Sequence, residues 1–123
     1  SKREKKMNNN DLELASKQKA LQKILSIHGE HHSETALSYN NIGVTQHEMK
    51  DYKSALESHQ LALQIRLKLF REDHSDTARS YDNIGATQHE MTDYKSALES
   101  KQKSSSIQIK TVWGRPFLHC SKL

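Results

Sequence analysis

The feature that most limits how this chain can fold is that it contains one stretch twice. His32–Ser58 reads HSETALSYNNIGVTQHEMKDYKSALES, and 42 residues later His74–Ser100 reads HSDTARSYDNIGATQHEMTDYKSALES. Of the 27 aligned positions, 22 are identical. Self-similarity at a fixed period of some 20 to 50 residues marks an architecture of stacked units rather than one rounded core. Composition agrees. Hydrophobic residues make up 33% of the 123-residue chain and the mean hydropathy is −0.91, so thin apolar stripes must be shared between neighbours.

The apolar residues recur at helical spacing throughout. Leu14, Leu21, Ile24, Leu25 and His28 predict a helix over about 11–28, opened by Asp11 and closed by Gly29. Shifting this segment by 42 residues pairs Leu14 with Leu56, Gln18 with Gln60, Ala20 with Ala62, Leu21 with Leu63 and Leu25 with Leu67. It is therefore the second helix of a repeat whose first helix is missing. Two full hairpins are expected at 33–70 and 75–112. In each, a helix A (34–48, 76–90) opened by Ser33 or Ser75 precedes a helix B (from about 52 and 94) capped by Asp51 or Asp93. Gly43 and Gly85 fall inside helix A, where glycine costs about 1 kcal/mol relative to alanine. Finding that cost twice at one register predicts close helix contacts, Gly43 on Ala55 and Gly85 on Ala97. Residues 1–10 are expected to be a disordered basic tail. Ser104, Ser105 and Ser106 make the last helix polar, as befits a terminal repeat, and Gly114 with Pro116 is expected to end it before a tail over 113–123.

Tyr39, Ile42 and Gly43, followed by Asp51, Tyr52, Ala55 and Leu56, carry a family resemblance, and Tyr81, Ile84, Gly85, Asp93, Tyr94, Ala97 and Leu98 repeat it. Over roughly 14–110 the chain resembles tetratricopeptide repeat (TPR) proteins of the 42-residue type found in kinesin light chains. It departs from that pattern where an aromatic residue usually packs, at Gln46 and Gln88 and again at His59 and Lys101. The resemblance implies an all-α fold, a TPR-type α-solenoid of antiparallel helix hairpins, here a leading helix plus two repeats. It also implies that helix A of each repeat lines a concave groove that holds a peptide or partner segment. The groove residues implied are Leu37, Asn40, Asn41, Val44, His47 and Glu48, then Arg79, Asp82, Asn83, Ala86, His89 and Glu90. Asn41 and Asn83 match a position at which some members hold the ligand backbone, a task suited to an amide that both donates and accepts. Glu48, Asp82 and Glu90 outnumber Arg79, so the expected ligand is neutral or basic rather than acidic.

The remaining signals point away from other functions. The net charge of +4 sits at the two ends, since residues 11–112 carry 13 basic and 14 acidic side chains. A nucleic-acid partner, which needs a positive folded face, is therefore not expected. No apolar run reaches the roughly 18 residues of a membrane span, and no apolar segment follows the basic start to make a secretory leader. The single cysteine, Cys120, suits a reducing compartment, and a cytoplasmic location is expected. No metal or cofactor is expected. His28, His31 and His32, with Glu30 and Glu34, read as a solvated loop rather than a zinc site. His47-Glu48 and His89-Glu90 are half of an H-E-x-x-H pattern, with Asp51 and Asp93 in place of its second histidine. His119-Cys120 has no third group to orient it. No enzyme is expected. The competing reading is self-assembly: about two and a half repeats fall short of the three normally needed, so Ile109, Val112, Trp113, Phe117 and the outer side of the leading helix would be covered by a second copy.

Overall fold

The computed structural model describes residues 9–70 and 74–121, with side chains described as far as Gln108. Among the described residues there are five helices and no strand: α1 (Asn9–His28), α2 (Ser33–Glu48), α3 (Tyr52–Leu69), α4 (Ser75–Glu90) and α5 (Tyr94–Ser121). Each helix packs on its neighbour in the chain. α2 with α3, and α4 with α5, form antiparallel hairpins, while α1 packs on α2 and α3 on α4. The expected all-α solenoid of a leading helix and two hairpins is what forms.

Local chemistry explains the boundaries. The turn from helix A to helix B is built the same way twice. The Lys50 N–H donates to His47 O and the Asp51 N–H to Gln46 O, each at 2.9 Å; Thr92 and Asp93 do the same to His89 O and Gln88 O. This pairing of a tight and a wider bond closes the helix only if the residue between turns left-handed. Lys50 and Thr92 accordingly have φ of 64° and 62°. Asp51 and Asp93 then cap the next helix, accepting from the Ser54 and Ser96 N–H groups at 3.3 Å.

The other helix starts differ from the expectation. The caps are His32 and His74, not Ser33 and Ser75, which are already helical. Nδ1 of each histidine accepts the N–H two residues on, from Glu34 and Asp76, at 3.0 Å. A stacked ring holds each cap: His32 lies 4.0 Å from His28, and His74 lies 4.0 Å from Phe70. An imidazole nitrogen thus replaces the usual serine oxygen because the preceding helix supplies a flat surface for the ring. Asp11 lies in the first turn of α1, which starts at Asn9. Gly29 closes α1 as expected, with φ of 86°.

The interior is small-sided. Ala36, Ala55, Ala62, Ala78 and Ala97 are buried with Ile42, Ile65 and Ile84. Helices so lined approach closely, and the glycines follow from that. A Cβ on Gly43 would lie 2.8 Å from the His59 ring, which crowds this position more closely than any other side chain. A Cβ on Gly85 would meet the Ala97 carbonyl oxygen at 3.3 Å, as expected, and Lys101 Cγ at 3.2 Å. Gln46 and Gln88 replace the family's aromatic without leaving a polar group stranded: Ser58 and Ser100 donate to them across each hairpin, at 2.6 and 2.8 Å. Ser104 is buried in the register of Ala62, and only Ser105 and Ser106 face outward. α5 continues through Gly114 and Pro116 to Ser121, against the expected stop. A proline withholds one backbone donor, and α5 continues past that lost bond. The tail expected at 1–10 falls, up to residue 8, outside the described residues, as do the side chains of Ile109, Val112, Trp113, Phe117, His119 and Cys120.

Candidate functional site: the shared face of α2 and α4

The two A helices lie side by side, joined by a polar seam. Asn83 Nδ2 of α4 donates to Asn40 Oδ1 of α2 at 2.7 Å. His59 Nδ1 of α3 lies 3.1 Å from the same oxygen, which makes that nitrogen the protonated one, since Asn40 Oδ1 can only accept. One turn further, Thr87 Oγ1 donates to Asn83 O at 2.9 Å and lies 3.3 Å from His47 Nδ1, from which it accepts. Arg66 of α3 completes the junction, donating to Asp76 O at 3.2 Å and Ser80 Oγ at 2.8 Å.

Burial sets the electrostatics of this seam. His59 is 2% exposed. Burial, with His47 and then Arg66 adding to it, lowers its pKa to about 4, so the ring is neutral near pH 7. Burial also pushes the Arg66 guanidinium below its ordinary value, with Asp76 opposing. On the other side of α2, Lys17 of α1 reaches Thr45 Oγ1 at 2.6 Å and Asn41 O at 3.2 Å, fixing α1 to the first hairpin.

These contacts sort the twelve groove residues into three groups. Asn40 is 6% exposed and its oxygen is used twice, so it belongs to the wall between helices and not to a ligand-facing surface. His47 and Asn83 are half-buried and engaged in the same seam. Leu37, Asn41, Val44 and Glu48 of α2 face outward, as do Arg79 and Glu90 of α4, with Ala86 half-buried among them. Leu37 and Val44 are 40% and 39% exposed, a pair of apolar side chains two helical turns apart on one face. Asp82 and His89 point instead toward the far side of α4, where Asp82 meets Lys101 Nζ at 3.9 Å. Asn41 and Asn83 therefore do not play equivalent parts: one amide is exposed, the other is spent on its neighbour.

The five differences between the duplicated stretches fall in an informative place. Two of them, Glu34/Asp76 and Lys50/Thr92, lie in the first turn and the hairpin turn. The other three are Leu37/Arg79, Asn40/Asp82 and Val44/Ala86, all on the outward and inter-repeat sides of helix A. Within the duplicated stretch the residues buried inside each hairpin are identical; the surfaces offered outward are not. His59, Thr87 and Arg66, which build the seam, and Lys17, which ties α1 to α2, do not stand out as site residues in the sequence. The one available sign was that His59 stands where the family packs an aromatic. Among the described residues no group of three or more His, Cys, Asp or Glu side chains is gathered as for a metal ion, and no helix is long and apolar enough to cross a membrane.

Antiparallel hairpins stacked in this way, α4 packed on α3 and bonded through its side chains to α2, define a helical-repeat protein. The Tetratricopeptide repeat family model matches residues 14–68 and 47–110, and the chain belongs to that family. The crystal structure of BtubC (BKLC) from P. vanneervenii is similar, with a TM-score of 0.73 and 26% sequence identity over 77% of this chain. The match spans 38% of that protein's length. No curated protein sequence matches significantly. The family is a non-catalytic repeat family whose members mediate protein–protein interaction or scaffolding.

Proposed function

We propose that this chain is a protein-interaction module that holds a peptide or partner segment along the outward face shared by α2 and α4. The observation that carries the reading is the placement of the repeat differences. Two A helices with identical inward faces present Leu37 and Val44 on one and Arg79 and Ala86 on the other. A segment lying across both would meet an apolar patch over α2 and a polar one over α4, with Asn41 exposed beside Leu37 and Val44 to bond a peptide unit. Glu48 and Glu90 face outward against Arg79, and Asp82 is already paired with Lys101, which supports a neutral or basic ligand over an acidic one. The half-exposed leucine and valine supply the apolar anchor such a surface needs.

A peptide array spanning acidic, neutral and basic sequences, probed with the full chain and with a Leu37→Asp, Val44→Asp variant, tests this. Capture of neutral or basic peptides that the variant loses is expected. Selective capture of acidic peptides, or capture that the variant retains in full, would overturn it.

A further inference from the structure

The far end of the second hairpin carries a cavity of about 550 Å³ lined by Gly85, His89, Tyr94, Ala97, Leu98 and Lys101. Shifted by 42 residues these become Gly43, His47, Tyr52, Ala55, Leu56 and His59, the same residues but for the last; Ala86 and Glu90, which complete the lining, correspond to Val44 and Glu48. In the first hairpin that surface is covered. α4 lies on it, held by Asn83 to Asn40, Thr87 to His47 and Ser80 to Arg66. Tyr52 and Leu56 are accordingly half-buried and His59 is buried. Their counterparts Tyr94 and Leu98 are 58% and 59% exposed. The internal repeat thus displays one surface twice, once with a helix on it and once open.

We infer that this cavity is a seat for a partner α-helix with the docking chemistry of α4: a small-sided face, a hydrogen-bond donor in the place of Asn83 and a hydroxyl one turn later in the place of Thr87. The site lies between α4 and α5, beyond the outward face proposed above, with which it shares Ala86 and Glu90 at its rim. Two substitutions set its preference. Asn40 becomes Asp82 and His59 becomes Lys101, so the neutral buried pair beneath α4 becomes an ion pair at 3.9 Å. A carboxylate at the base favours an amide or cationic donor from the incoming helix. Covering the ion pair costs desolvation that α4 does not meet on the first hairpin. The seat therefore binds its helix more weakly than the first hairpin holds α4, which suits a reversible partner. A second copy of the chain fits poorly. The matching face of α4 is engaged by α2 and α3, and Thr45 of α2, in the register of Thr87, is held by Lys17 of α1.

The test uses the full chain and a fluorescent, helix-stapled peptide with the α4 sequence Ser75–Glu90, read by anisotropy. Saturable binding is expected, weakened roughly tenfold or more by Leu98→Asp and by the peptide change Asn83→Asp, and unaffected by Leu37→Asp. Both protein positions are exposed, and circular dichroism confirms that each variant keeps its helicity; Leu98→Gln serves if Leu98→Asp does not. No binding at about 1 mM peptide would overturn the proposal. So would binding indifferent to Leu98, or binding lost through Leu37→Asp, which would place the peptide on the other face. Light scattering that shows copies pairing through Leu98 would overturn it too, in favour of self-association.

Discussion

A buried histidine kept neutral makes stability depend on pH in a way that one substitution should erase. His59 titrates at about 4 in the folded chain, against an ordinary 6.5. Its folded pKa is depressed, and for a base this means the unfolded state takes up the proton first. The stability it confers is complete above pH 6.5 and falls as pH drops from 6.5 toward 4, because there the unfolded chain binds a proton that the folded chain refuses. At about 1.4 kcal/mol per pH unit the full window is worth about 3 kcal/mol. Replacing His59 with phenylalanine keeps a ring beside Gly43 but removes the titration. It also removes the bond to Asn40, at a cost of about 1 kcal/mol near neutrality. Urea unfolding of both proteins from pH 7.5 to 4.5, at constant ionic strength, reads the difference, since every other titrating group is common to the two. The wild type should start the more stable, and the two curves should cross roughly between pH 5 and 6. Parallel loss of stability in both proteins would show that His59 is not held neutral, and the description of the seam would be wrong.

Further outcomes follow from the same structure. Gly43→Ala places a Cβ 2.8 Å from a ring that is enclosed on all sides, whereas Gly85→Ala meets Lys101 Cγ and Ala97 O at 3.2–3.3 Å. Gly43→Ala should therefore be the more destabilising by at least about 1 kcal/mol in thermal melts, despite the same gain in helix propensity. Thr92→Gly relieves a β-branched residue at φ of 62° and should raise stability by about 1 kcal/mol; an unchanged midpoint would argue against the left-handed turn. Asp51→Ala and Asp93→Ala should each cost about 1 kcal/mol as lost caps, seen as earlier amide exchange at Ser54 and Ser96.

How much was legible in the sequence depended on whether the repeat or a pair of side chains did the specifying. The helices, their register and the Asp51 and Asp93 caps follow from period and spacing, because every copy of the pattern must bury the same stripe. The histidine caps were not legible. Serine is the commoner cap, and only the stacking of His32 on His28 and of His74 on Phe70 shows why the residue before it takes the role. Asn40 illustrates a second kind of gap. Spacing puts it on the side of helix A that the family uses for ligands, yet its neighbours in space, Asn83 and His59, lie 43 and 19 residues away and claim its oxygen. Spacing also placed Gly43 in a close contact but did not name His59, since a small residue on the facing helix is no guide to which side chain leans into the gap.

The central claim is that the outward face of the two A helices, and not their seam, meets a partner. Amide chemical-shift mapping of the full chain, titrated with the tightest peptide from the array, tests this most directly. The account predicts that the shifted amides cluster at Leu37, Asn41, Val44 and Glu48 of α2 and at Arg79 and Ala86 of α4, while Asn40 and His59 barely move. Shifts centred instead on the convex residues of α3 and α5, or spread evenly over the chain, would contradict it.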